Sequence, residues 1–302
     1  MSKQFPHVQL RSRSGALAAR DGVALSFFIH RDHKEVAPAI WRALETFLNA
    51  IPPKTLNWYV SEEGDMDPLD NEGWEIIRKK MLERIWGLAW NVELSESPSE
   101  VGGYQFEYYG KKLDAPVGLY GGAPVTAVSF TFPTEYLLEH GPDHLRALAF
   151  KLAWELPFSF GYASFAIVAP HGNWGTGDHL DTLRERYLGL DLDHVSRTSD
   201  VIGTHARSAS WLTFLGQPLL GQLGGIERLR SALPFPEVTL LSLDSQRLLI
   251  SLSEWPEAID IQQGGIPPQY RALALRLEPL LYEERAGLPP RYEYTWLRRL
   301  SR

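Results

Sequence analysis

The 302-residue chain contains no cysteine. That absence removes disulfides, thiolate zinc sites, iron–sulfur clusters and cysteine nucleophiles together. No run approaches the roughly 18 to 20 consecutive apolar residues that a membrane-spanning helix needs. Met1-Ser2-Lys3-Gln4-Phe5-Pro6 leads into polar Arg11-Ser12-Arg13-Ser14 with no apolar signal core, so the expectation is a soluble, unexported, cytoplasmic protein. Positive charge is in short supply: 30 Lys and Arg face 37 Asp and Glu, a net charge of −7. A chain so balanced has no global field with which to hold phosphates, and direct nucleic-acid binding is not expected. The short catalytic signatures are also missing: no Gly-x-Ser-x-Gly elbow, no phosphate loop ending in Gly-Lys-Ser/Thr, no His-Glu-x-x-His. No catalytic residue, metal ligand or cofactor is therefore assigned.

What the chain does have is 44% hydrophobic and 22% charged residues, which describes an ordinary globular core. Val23 to His30 mixes β-branched and aromatic residues on both faces, as an interior strand does. Val36, Ile40, Ala43, Leu44, Phe47, Leu48 and Ile51 recur at helical spacing, with Pro38 placed in the first turn and Pro52-Pro53 as the stop. A strand at Leu56–Val60 and a second helix marked by Trp74, Ile77, Met81, Ile85 and Leu88 follow, with Asp70 or Asn71 as its cap. Strands are expected at Val92–Leu94, Tyr104–Tyr109 and Val125–Phe132, a helix around Leu145–Leu152, and a strand from Phe158 to Val168.

The loop from Pro170 to Asp178 is the best boundary, dividing the chain into halves 1–170 and 171–302. The second half reads as a strand at Trp211–Phe214, one or two helices over 217–233, a hairpin at 238–243 and 248–252, and a helical stripe from Tyr270 to Leu281. Phe130-Thr131-Phe132 with Leu137-Leu138 and Leu145-Arg146 is echoed by Leu212-Thr213-Phe214 with Leu219-Leu220 and Leu229-Arg230, as a duplication would leave it. The expected fold is α+β, with mixed, mainly antiparallel sheets flanked by helices and two related halves in one compact body.

Three stretches gather residues that can do chemistry. His30-Arg31-Asp32-His33 and Gly177-Asp178-His179-Leu180-Asp181 set carboxylates beside imidazoles, which suits zinc or general-base work but equally a strand end and a helix cap. Gly172, Gly175 and Gly177 resemble a dinucleotide loop, yet Leu180 stands where the third glycine would open a helix. The third stretch, Ser61 to Glu72, carries Glu62, Glu63, Asp65, Asp67, Asp70 and Glu72 and no base. It reads as a calcium loop without the EF-hand glycine and distal Glu, as a solvated loop whose Asp70 and Glu72 favour the next helix N-terminus, or as an acidic platform for a basic partner, flanked by the aromatic anchors Trp58 and Tyr59.

Ile202-Gly203-Thr204-His205-Ala206-Arg207, Ser210 to Gly216, Leu223-Gly224-Gly225-Ile226, Pro267 to Ala274 and the closing Trp296-Leu297-Arg298-Arg299 resemble the type VI secretion immunity family, whose members neutralise VRR-type nuclease effectors. The resemblance runs from Val23 to the C-terminus. It departs from the family pattern where a glycine gives way to Ile259 before Asp260, and where Ser208-Ala209 stands in place of another. The resemblance implies a non-catalytic inhibitor that binds a cognate toxin and occludes it. The acidic residues from Glu62 to Glu72, with Trp58 and Tyr59, are the expected contact surface. The alternative is a small-molecule-binding or hydrolytic enzyme using the 171–181 loop.

Overall fold

Strand β2 (Leu17–Ile29) is the spine, pairing with β7 (Thr126–Pro133) on one side and β8 (Phe160–Val168) on the other. The computed structural model describes residues 6–84, 86–116, 119–120, 122–169, 177–192, 194–282 and 296–302, with side chains described throughout except over 177–181. From β7 the sheet continues through β6 (Gln105–Lys111), β5 (Ala89–Ser95) and β3 (Trp58–Val60) to the edge strand β4 (Met66–Pro68). From β8 it continues through β9 (Leu212–Leu215) and β11 (Leu248–Ser251) to β10 (Thr239–Ser242), while the short β1 (Gln9–Arg11) pairs with β2. Every ladder among these 11 strands is antiparallel.

The expectation of several sheets thus gives way to one. The join is between β8 and β9, with Phe160 opposite Leu215 and Ala163 opposite Leu212. β9 is apolar on both faces: Leu212 and Phe214 enter one core and Leu215 the other. A strand of that kind is most stable in a sheet interior.

Helices cover both faces of the sheet. On one face lie α1 (His33–Ala50), α2 (Asn71–Leu82) and α3 (Thr134–Glu155). They pack on the inward residues of β2, Val23, Leu25, Phe27 and Ile29, all buried. Each such buried side chain contributes roughly 1.5 to 3 kcal/mol. Helix α3 is broken at Gly141, where φ is 80°, just before Pro142. On the opposite face α5 (Val195–Val201), α6 (Leu219–Gln222), α7 (Gly225–Ala232) and α8 (Pro268–Leu277) cover Phe28, Ala127, Phe160 and Tyr162. With α4 (Gly177–Arg186) there are eight helices among the described residues.

Three local expectations change. Helix α1 starts at His33, so Pro38 lies a turn deeper than expected and is still accommodated. Helix α2 ends at Leu82, with Glu83 as its C-cap, so Leu88 is outside it and 42% exposed. The acidic stretch is not a plain loop, because Met66–Pro68 pairs with β3.

Candidate partner-binding site

The acidic residues are arranged by a hairpin at the sheet edge. Val60 pairs with Met66 and Tyr59 with Asp67. The turn between them is closed by Ser61, whose N–H donates to the Asp65 carbonyl at 2.8 Å and whose Oγ accepts from the Asp65 N–H at 3.2 Å. Glu62, Glu63 and Asp65 are exposed on this turn, and Asp67 is half-buried on β4. Asp70 is the N-cap of α2, accepting from the N–H groups of Glu72 and Gly73, both at 3.0 Å. Glu72 follows in the first turn, where a carboxylate meets the positive end of the helix dipole.

The two aromatic residues expected as anchors are placed differently. Tyr59 is buried in the core, whereas Trp58 is half-buried and lines a groove of about 730 Å³ with Trp74, Leu48, Pro68 and Asp70. The Tyr59 hydroxyl feels the cluster around it. Burial, first, and then the charges of Asp67, Glu72, Asp70 and Glu63 raise its pKa above the usual phenol value. Glu62 is partly neutralised, since it pairs with Arg84 and lies in the field of Lys80.

One residue of this surface escaped the sequence reading. Trp86 is 81% exposed, and its backbone carbonyl accepts from Arg84 Nε at 3.4 Å, which ties this residue to the Glu62–Arg84 pair. Ile85 and Leu88 at helical spacing disguised the segment as a continuing helix. The physical signal was the charged Glu83-Arg84 and Gly87 on either side, which fit the end of a helix.

The other chemical candidates resolve into structure. His33 is buried, with Nδ1 2.7 Å from the Tyr108 hydroxyl and its ring stacked on Trp90. Asp32 accepts from the Leu113 N–H at 2.8 Å. No group of three metal-ligating side chains occurs among the described residues. Residues 171–176 and the side chains of 177–181 lie outside the described residues, and with them the loop that carried the enzyme alternative.

A family profile described as type VI immunity for VRR-NUC matches residues 39–300. Among solved structures, the T6SS protein PA0821 of Pseudomonas aeruginosa is similar, at 19% sequence identity over 97% of this chain and 87% of that one, with a TM-score of 0.79. At that identity the likeness concerns the fold alone. No curated protein matches the chain.

Proposed function

The chain belongs to the type VI immunity family directed at VRR-NUC nuclease effectors, and from that premise we propose that it protects by covering the effector's phosphate-binding face with the acidic hairpin. It is an immunity protein and not an enzyme. A nuclease must present positive charge to its substrate, so clustered carboxylates compete for the same surface and are steered to it.

The observation that carries this reading is the gathering of exposed Glu63, Asp65, Asp70 and Glu72 with half-buried Asp67 on one hairpin and the helix start after it, joined to the 81% exposed Trp86 through the Glu62–Arg84 pair. Charges of this kind accelerate encounter, and a large aromatic supplies the packing that slows dissociation. Trp58 serves as a second anchor through its groove, while Tyr59 supports the hairpin from beneath. In this reading the protein touches neither nucleic acid nor membrane and works in the cytoplasm, where the substrate DNA lies. The net charge of −7 supports the first point. That no helix of the described residues is long and apolar enough to cross a membrane is compatible with the second. We also read the chain as two related halves, 1–170 and 171–302. This is supported by the matching order of strand and helix in β7–α3 and β9–α6–α7.

The test is association of the purified protein with its cognate effector across a salt series. Replacing Glu62, Glu63, Asp65 and Asp67 together with Ser or Asn should slow association at low salt far more than at high salt, because exposed charges are screened beyond about 8 Å at physiological ionic strength. Trp86→Ala should leave association nearly unchanged and speed dissociation at least tenfold. Unchanged rates in folded variants would place the contact surface elsewhere.

A further inference from the structure

A second cavity, also about 730 Å³, opens between the start of α8, the segment 253–265 and residues Arg186 and Tyr187. Glu237, Glu254 and Asp260 are among the residues that line it. Arg186 faces them and is already taken up by Asp260, with Nε 3.1 and 3.0 Å from the two carboxylate oxygens and a terminal nitrogen at 2.7 Å. Burdened with that bond, Arg186 cannot neutralise the rest. Glu237 is exposed and enters no ion pair among the described residues, and the Glu254 carboxylate accepts only a neutral indole N–H, that of Trp255, at 3.1 Å.

The decisive feature is Gln269, in the first turn of α8. It lines the cavity, is 4% exposed, and its Oε1 has no hydrogen-bond partner among the described residues. Leaving a buried acceptor unpaired costs roughly 1 to 3 kcal/mol, and such groups are few in native proteins. The wall beside it is rigid. Residues 258–261 are pinned to 186–189 by the bonds Leu188 N–H to Ile259 carbonyl (3.0 Å), Ile261 N–H to Arg186 carbonyl (3.0 Å) and Gly189 N–H to Ala258 carbonyl (2.7 Å). The approach is so close that a Cβ on Gly189 would stand 2.0 Å from the Glu257 carbonyl oxygen.

A cavity with surplus carboxylates and an unused acceptor calls for a ligand that is cationic and rich in donors. A guanidinium fits best, because its five N–H groups form a planar fork that engages carboxylates in pairs and has donors to spare for an amide oxygen. The volume exceeds one side chain and matches a short length of polypeptide carrying it. We propose that this cavity is a receptor for an arginine presented on a loop of the partner protein. The partner's identity as the nuclease effector rests on the immunity reading; the chemistry of the cavity does not.

Two measurements separate these parts. The full chain is titrated calorimetrically with acetyl-Gly-Arg-Gly-amide and with the same peptide carrying norleucine or glutamate in place of arginine. The arginine peptide should bind at least tenfold more tightly than either, and the preference should disappear in Glu237→Gln/Glu254→Gln and weaken in Gln269→Leu. Gln269→Leu should keep or raise the melting temperature, which distinguishes loss of a ligand contact from loss of fold. Equal binding of the three peptides, or unchanged binding in the variants, would overturn the proposal. The second measurement is protection of cells from the cognate effector. A Glu237→Gln/Glu254→Gln protein that protects as well as wild type would rule out the effector as the source of the arginine, leaving the immunity reading intact. Failure of wild type to protect would sink the immunity reading, while the titration still decides the cavity.

Discussion

The imidazole of His33 lies flat on the indole of Trp90, ring centroids 4.0 Å apart and planes 7° from parallel. Its Nδ1 is 2.7 Å from the buried Tyr108 hydroxyl. The ring has no room for a solvated charge, and burial lowers its pKa to about 4 against an ordinary value of 6.5.

That depression makes stability depend on pH in one direction. Above about pH 6.5 the ring is neutral in both folded and unfolded chains and costs nothing. Between about 6.5 and 4 the unfolded chain takes up a proton that the folded chain refuses, so stability falls with falling pH by roughly 2 to 3 kcal/mol in total. His33→Phe should lose about 1 kcal/mol at pH 7.5, because the Tyr108 hydroxyl loses its partner, yet be less sensitive between pH 6.5 and 4. Urea denaturation at four pH values checks this; parallel pH curves for wild type and variant would contradict it.

Asp70 separates the structural from the electrostatic work of the acidic stretch. Its side chain holds two N–H groups at the start of α2. Asp70→Ala should cost about 1 kcal/mol and Asp70→Ser only a few tenths, a difference visible in thermal melts. The same two changes should slow effector association equally, since both remove one charge.

The most deeply buried ion pair among the described residues joins Asp191 to Arg207, with 2% and 6% of the side chains exposed. Arg299 is also buried, donating from Nε to the Leu188 carbonyl at 2.6 Å. Burial lowers its pKa to about 9, with the Asp191 charge opposing that shift. Removing the acid leaves buried cations facing one another, so Asp191→Leu should destabilise by about 3 to 5 kcal/mol. Asp191→Leu combined with Arg207→Met should recover most of the loss. If the double variant were no more stable than the single one, the pair would not be the reason.

How far these features were legible in the sequence follows from how local each is. β2 and α1 announced themselves because their apolar residues keep the period of one element over many residues. β4 did not: Met66-Asp67-Pro68 has no strand character of its own and is extended because β3 pairs with it. α5 (Val-Ser-Arg-Thr-Ser-Asp-Val) shows no apolar stripe for the same reason, being held by packing of Val195 against the second core. The charge of the candidate surface could be read directly, since all six acids lie within eleven residues. Its aromatic partner Trp86 could not, because exposure is a tertiary property. The arginine receptor was beyond reach, as it gathers residues 186, 237, 254–260 and 269.

Ile259 shows how a departure from family pattern can be weighed. Isoleucine stands before Asp260, where the sequence resemblance implies a glycine, with φ of 51°, in the left-handed region that β-branched residues avoid. The strain is roughly 1 to 2 kcal/mol. Against it, the Ile259 side chain is only 6% exposed and belongs to the second core. Truncating a buried isoleucine costs roughly 2 to 5 kcal/mol even when the backbone is comfortable. Burial is the larger quantity, so Ile259→Gly should lower stability by about 1 to 3 kcal/mol in urea denaturation despite relieving the dihedral. A glycine variant more stable than wild type would mean that the strain exceeds the packing. The same substitution should loosen the wall that carries Asp260, so arginine-peptide binding should weaken in Ile259→Gly even at temperatures where the protein remains folded.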